Sequence, residues 1–124
     1  DHYGMPEAPR FAFYPHGPDG LLEVPITTAT VMGKKLPAGG GGYFRLLPYA
    51  LSRWMMERVN RNDEQPALFY FHPWELDPGQ PRPEGLDAKS RFRHYVNIDR
   101  MERRLEALTR DFAWDRMDRI FLNK

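Results

Sequence analysis

The sequence predicts an α/β fold in which strand, helix, strand and helix follow one another. Three observations carry this reading. Residues 21–32 are rich in Val, Ile and Thr, residues 67–71 are continuously apolar, and apolar residues recur at helical spacing after Pro48 and after Asn97. That order of elements points to a parallel crossover rather than to hairpins. With 124 residues, 41% of them apolar, the chain fits one hydrophobic core and not a disordered polymer. Lys and Arg number 18 against 17 Asp and Glu, a balance that argues against a bulk polyanion such as nucleic acid as partner. Zero cysteines exclude disulfides and thiolate metal sites but leave the compartment open between cytoplasm and periplasm. No stretch approaches the ~18 apolar residues of a membrane span, and Asp1-His2-Tyr3-Gly4 does not open a signal peptide. A first residue other than Met leads us to expect a fragment or a processed form.

Taken in order, residues 1–20 mix four prolines and three glycines with aromatics and read as an irregular surface segment. In residues 21–32, Leu22, Val24, Ile26, Thr28 and Thr30 alternate on one face of an expected strand, with Pro25 at an edge or bulge. Residues 33–45, including the four glycines Gly39 to Gly42, read as a loop. Pro48 suits the first turn of a helix whose apolar face is Leu47, Leu51, Trp54, Met55 and Val59. Residues 67–72, ALFYFH, read as a strand covered on both faces, the pattern of a parallel sheet or barrel core. A proline-rich loop follows. Asn97 is expected to cap a final helix with the stripe Ile98, Met101, Leu105, Leu108 and Phe112, and a short helix through Met117, Ile120 and Phe121 closes the chain. Residues 1–86 are then the body of the domain, and residues 87–124 a helical extension packing on it.

His72 is the strongest candidate for chemistry. It ends an apolar strand, and Pro73 restricts it to extended backbone, so its imidazole projects at the strand's C-terminal end, where barrel and open-sheet enzymes place reactive groups. An imidazole there suits proton transfer, and Glu75 is near enough in sequence to be considered as its partner. The plainer alternative is a histidine that hydrogen-bonds a nearby carbonyl. The glycine run matches neither dinucleotide nor phosphate-loop spacing, so it is either a flexible connector or a substrate-contacting loop carrying Tyr43, Phe44 and Arg45. His2, His16 and His94 lie in unrelated segments and form no metal pair with His72. Arg91-Phe92-Arg93-His94-Tyr95 interleaves arginine with aromatics as nucleic-acid binders do, but the acidic residues of the following helix offset it.

Four segments, LLEVPITT, LPAGGGGYFRLLPYALSR, ALFYFHPWELDPGQPR and RFRHYVNIDRMERRLEAL, resemble in order the C-terminal portion of bacterial polysaccharide deacetylases of exopolysaccharide loci. The resemblance covers most of the chain. It implies a distorted (β/α) barrel of the nodulation-type chitooligosaccharide deacetylase superfamily, and a hydrolase that removes N-acetyl groups from amino sugars of a polysaccharide. It further implies a divalent metal, zinc or similar, held in the complete enzyme by one aspartate and two histidines, with a second aspartate as base. FYFH resembles the family's last motif and makes His72 the general acid, with Tyr70 lining the pocket where leucine is usual.

The metal-binding and base motifs are absent from residues 1–124, so the chain alone is expected to bind no metal and to be inactive. As part of a barrel it would have open sheet edges, to be paired by the missing N-terminal part of the same enzyme or by self-association. The competing reading is a non-catalytic carbohydrate-binding or docking module, with Tyr43, Trp74 and Tyr95 offering faces to sugars.

Overall fold

The computed structural model describes Met5 and residues 7–123. Tyr3 and Pro6 of the expected N-terminal segment lie outside the described residues. From Glu7 onward that segment is irregular, as expected, and is tied to the body where Phe13 and Glu23 exchange backbone hydrogen bonds of 3.0 and 2.8 Å.

The expected long strand shrinks to β1, Thr28–Val31. It pairs antiparallel with β2, Lys34–Pro37, in the stretch expected to be a loop. The cause is the two-residue turn: Met32 and Gly33 have φ of 53° and 77°, and left-handed backbone at both central positions matches the twist of a tight hairpin. Upstream of Thr28, Pro25 has no ladder donor, and pairing does not extend to it.

The glycine run also differs from expectation. Gly40 precedes a short helix, α1, Gly41–Leu46, so the last two glycines are helical rather than loop. Pro48 immediately precedes α2, Tyr49–Asn62. Its buried face is Ser52, Met55, Met56 and Val59; Leu51 and Trp54, expected to be apolar-face residues, are exposed. The stripe is rotated because α2 is packed on two sides. Met55 and Val59 meet Ala29 and Ala38 of the hairpin region, while Met56 meets Phe44, Met101 and Leu108. Trp54 instead lies under the Arg58 guanidinium, 5.6 Å from its ring centroid.

Residues 67–72 do not form the expected strand. Their ladder is reduced to one parallel bridge between Gly40 and Tyr70, in which Tyr70 N–H donates to Gly39 O at 2.8 Å. The expectation of a parallel crossover rather than hairpins is thereby corrected: the strands that pair among the described residues form an antiparallel hairpin, and the one parallel contact is this isolated bridge. Burial on both faces is not found: Tyr70 and Phe71 are 43% and 40% exposed. Among the described residues the only sheet is the two-stranded β1-β2 hairpin, and the architecture is mixed α/β.

A 3-10 turn, Pro73–Leu76, follows His72 directly. Helix α3, Ala88–Tyr95, lies within the expected helical extension, at a stretch given no element of its own; Asp87 caps it by accepting the Ser90 N–H at 2.6 Å, a bond that holds the Asp87 carboxyl below its ordinary value. Asn97 does precede the next helical stretch, a 3-10 turn Ile98–Arg100 leading into α4, Met101–Asp111. Its side chain caps nothing there, however, and donates from Nδ2 to Arg45 O at 2.7 Å. Ile98, Met101 and Leu108 of the expected stripe are buried, and Leu105 and Phe112 pack against them. The last helix, α5, spans Met117–Leu122. Met101 and Leu108 of α4 share one core cluster with Phe44 of α1 and Met56 of α2. No helix among the described residues is long and apolar enough to cross a membrane.

Candidate functional site

Three segments meet at one cleft: the start of α1, the extended segment with its 3-10 turn, and α3. Their meeting depends on a glycine. A Cβ on Gly41 would lie 2.5 and 2.7 Å from the two carboxylate oxygens of Glu75, so only a residue without a side chain lets α1 begin against that carboxylate. Gly39 has the same role one step earlier, where a Cβ would collide with Leu68 O.

At the floor of the cleft Arg45 and Glu75 form an ion pair, Nε to Oε1 at 2.9 Å, with both side chains 2% exposed. The rest of the Arg45 guanidinium is satisfied by backbone: Nη1 donates to Val96 O at 2.7 Å and to His94 O at 3.1 Å. A buried charge needs this degree of pairing, since desolvation otherwise outweighs the attraction. The second Glu75 oxygen accepts the His72 backbone N–H at 2.7 Å and lies 3.6 Å from His72 Nδ1. That last separation is too long for a hydrogen bond but places a buried negative charge beside the ring.

The His72 imidazole stands out into the cleft, 57% exposed. It is flanked by Trp74, whose ring is stacked at 5.8 Å and 19°, and by Tyr70, edge-on at 5.8 Å. Trp74 is in turn stacked on His94 at 3.9 Å and 8°. Gln80 locks this row, donating to Trp74 O at 2.8 Å and lying 3.3 Å from His94 Nε2 through its Oε1.

The five site candidates His72, Tyr70, Trp74, Tyr43 and Arg45 lie in this region. His72, Trp74, Tyr70 and Arg45 line a cleft of about 310 Å³, and Tyr43 lines an adjoining cleft of about 510 Å³ that shares Tyr70. Arg45 differs from the others in kind: buried and engaged by Glu75 and backbone carbonyls, it holds the floor rather than reaching into the opening. The glycine segment is likewise a packed support and not a free connector. Tyr95 is buried in the wall of α3 with Arg82 stacked 4.3 Å over its ring, so it offers no open face. Sequence reasoning singled out the basic-aromatic run Arg91 to Tyr95 but missed the stacking of His94 on Trp74 and the cleft-lining Lys89.

Among the described residues no group of three or more His, Asp or Glu side chains converges as metal ligands. The described residues alone therefore do not supply the ligand set that the resemblance implies.

Residues 1–122 match the family model described as "domain of unknown function (DUF3473)", and the chain belongs to that family. No curated protein and no solved structure matches the chain.

Proposed function

We propose that this DUF3473 member is the C-terminal part of a metal-dependent polysaccharide deacetylase, in which His72 is the general acid for hydrolysis of N-acetyl groups on amino sugars. The observation that carries the proposal is the setting of one imidazole: exposed in a cleft, flanked by Trp74 and Tyr70, with Nδ1 3.6 Å from the buried Glu75 carboxylate. An imidazole so placed can, when protonated, give its Nε2 proton to the amine nitrogen as the C–N bond of the acetamide breaks. Acetate and the free amino sugar are the products. Glu75 acts as a positioning residue, with Arg45 fixing its carboxylate; Trp74, Tyr70 and Tyr43 offer rings to the sugar. On this reading the metal ligands and the base come from the N-terminal part of the same enzyme.

The finer fold belongs to the same proposal. The run ALFYFH is apolar throughout, yet Tyr70 and Phe71 are 43% and 40% exposed here. Both facts fit a strand of a distorted (β/α) barrel whose neighbours are contributed by the rest of the enzyme, or by a second copy through the open edge.

The test is turnover by the complete enzyme. His72→Ala is expected to lower kcat on an N-acetylated oligosaccharide by ~100-fold or more with little change in KM, the size of a lost general acid. Unchanged kcat would contradict the reading and favour a non-catalytic glycan-binding module, for which the aromatic lining of the cleft also speaks.

A further inference from the structure

The near-neutral charge of the chain conceals a local imbalance. Helix α3, AKSRFRHY, carries Lys89, Arg91 and Arg93 and no acidic residue. Lys89 and Arg93 are one turn apart and repel each other, where an opposite pair would have supported the helix. No salt bridge among the described residues engages either side chain. Asp87 feels the charge of Arg93, but its carboxylate is committed to the Ser90 N–H. Both cations line the larger cleft with Tyr43, Tyr70 and Phe92, and Arg93 also lines the adjoining cleft of His72 and Trp74. The one carboxylate lining either cleft is Glu75, already neutralised by Arg45.

A groove with aromatic walls and two uncompensated cations is complementary to a ligand that offers flat C–H faces and negative charge together. We infer that the groove selects an anionic polysaccharide, with carboxylate-bearing sugars spaced among the acetylated amino sugars, and that Lys89 and Arg93 are its specificity-determining residues. The inference rests on the deacetylase reading for the presence of a glycan and adds the charge of the polymer. Arg93 suits a carboxylate through the fork of its guanidinium, and Lys89 adds a mobile point charge. The aromatic rings would bind neutral and acidic glycans alike, so the discrimination comes from α3.

The full chain is titrated with three probes of similar length, with binding read by calorimetry. They are a neutral chitohexaose, a hyaluronan hexasaccharide alternating glucuronate with N-acetylglucosamine, and a single-stranded oligothymidylate. The hyaluronan fragment is expected to bind ~10-fold tighter than chitohexaose at low salt, with the preference shrinking as salt is raised. Lys89→Gln with Arg93→Gln should abolish the preference, bringing the two glycans to equal affinity, while circular dichroism stays unchanged. Equal affinity for the two glycans would overturn the anionic specificity and leave the sugar-cleft reading standing. Binding of neither glycan would overturn both, and tighter binding of the oligothymidylate would assign the basic face to nucleic acid instead.

Discussion

Arg45 and Glu75, 30 residues apart in sequence, meet as an ion pair of 2.9 Å in which each side chain is only 2% exposed. This contact joins α1 to the turn after His72, and through the Arg45 bonds to Val96 and His94 it joins both to the end of α3. The cleft is built around it.

Removing one partner leaves the other charged and buried. Arg45→Met and Glu75→Leu are each expected to lower the unfolding free energy by ~3–5 kcal/mol, measured by denaturant titration, whereas the double replacement should recover much of that loss. Additive losses would show that the two side chains act separately.

Gly41 and Gly42 are neighbours with opposite tolerance. A methyl group on Gly41 meets the Glu75 carboxylate at 2.5 Å, while one on Gly42 meets nothing within 4 Å. Gly41→Ala should cost ~1–3 kcal/mol through overpacking, and Gly42→Ala should be neutral or stabilise α1 by up to ~1 kcal/mol. Thermal melts of the two variants check the contrast.

Arg104 reaches from α4 to the end of α1, where its Nη1 donates to Phe44 O, Arg45 O and Leu47 O at 3.1, 2.8 and 3.0 Å. Partial burial lowers its pKa, so the charge is held at some desolvation cost. Arg104→Ala is expected to cost ~1.5–3 kcal/mol, the range for hydrogen bonds from a charged donor. Because α1 carries Arg45, amide exchange in residues 41–46 should rise with it.

The sequence made the helices after Pro48 and around Met101 legible because their apolar residues repeat at helical spacing, and it made His72 legible because Pro73 ends an apolar run. What it concealed was of two kinds. The β1-β2 hairpin depends on left-handed backbone at Met32 and Gly33, and a methionine is an unusual first residue for such a turn. Helix α3 buries only Tyr95, so it has no apolar stripe to be read; its one sign is the Asp87 cap. The long-range features were beyond any local pattern. Leu51 and Trp54 fit the helical period as well as Ser52 and Met56, and only packing against both the hairpin and α4 decides which face is buried. Likewise nothing near Gly41 announces that a carboxylate 34 residues later needs its missing side chain.

Tyr49 Oη donates to Asp111 Oδ2 at 2.6 Å, tying α2 to the end of α4. Burial, followed by the hydrogen bond and charge of Asp111, raises the Tyr49 phenol from 10.0 to about 12. The folded protein therefore holds this proton more tightly than the unfolded chain. The resulting stability is fully present below pH 10.0 and is lost as pH rises toward about 12. Denaturant midpoints across that window should fall in the native protein and fall less in Tyr49→Phe; parallel curves would contradict the assignment.

The most direct measurement of the central claim compares His72→Ala with the native complete enzyme on two acetyl donors. One is an N-acetylated oligosaccharide, whose amine must be protonated to leave; the other is an aryl acetate, whose phenolate leaves without a proton. If His72 is the general acid, kcat/KM should fall by ~100-fold or more on the first and by only a few-fold on the second. Equal losses on both donors would contradict that role and reduce His72 to a structural part of the cleft.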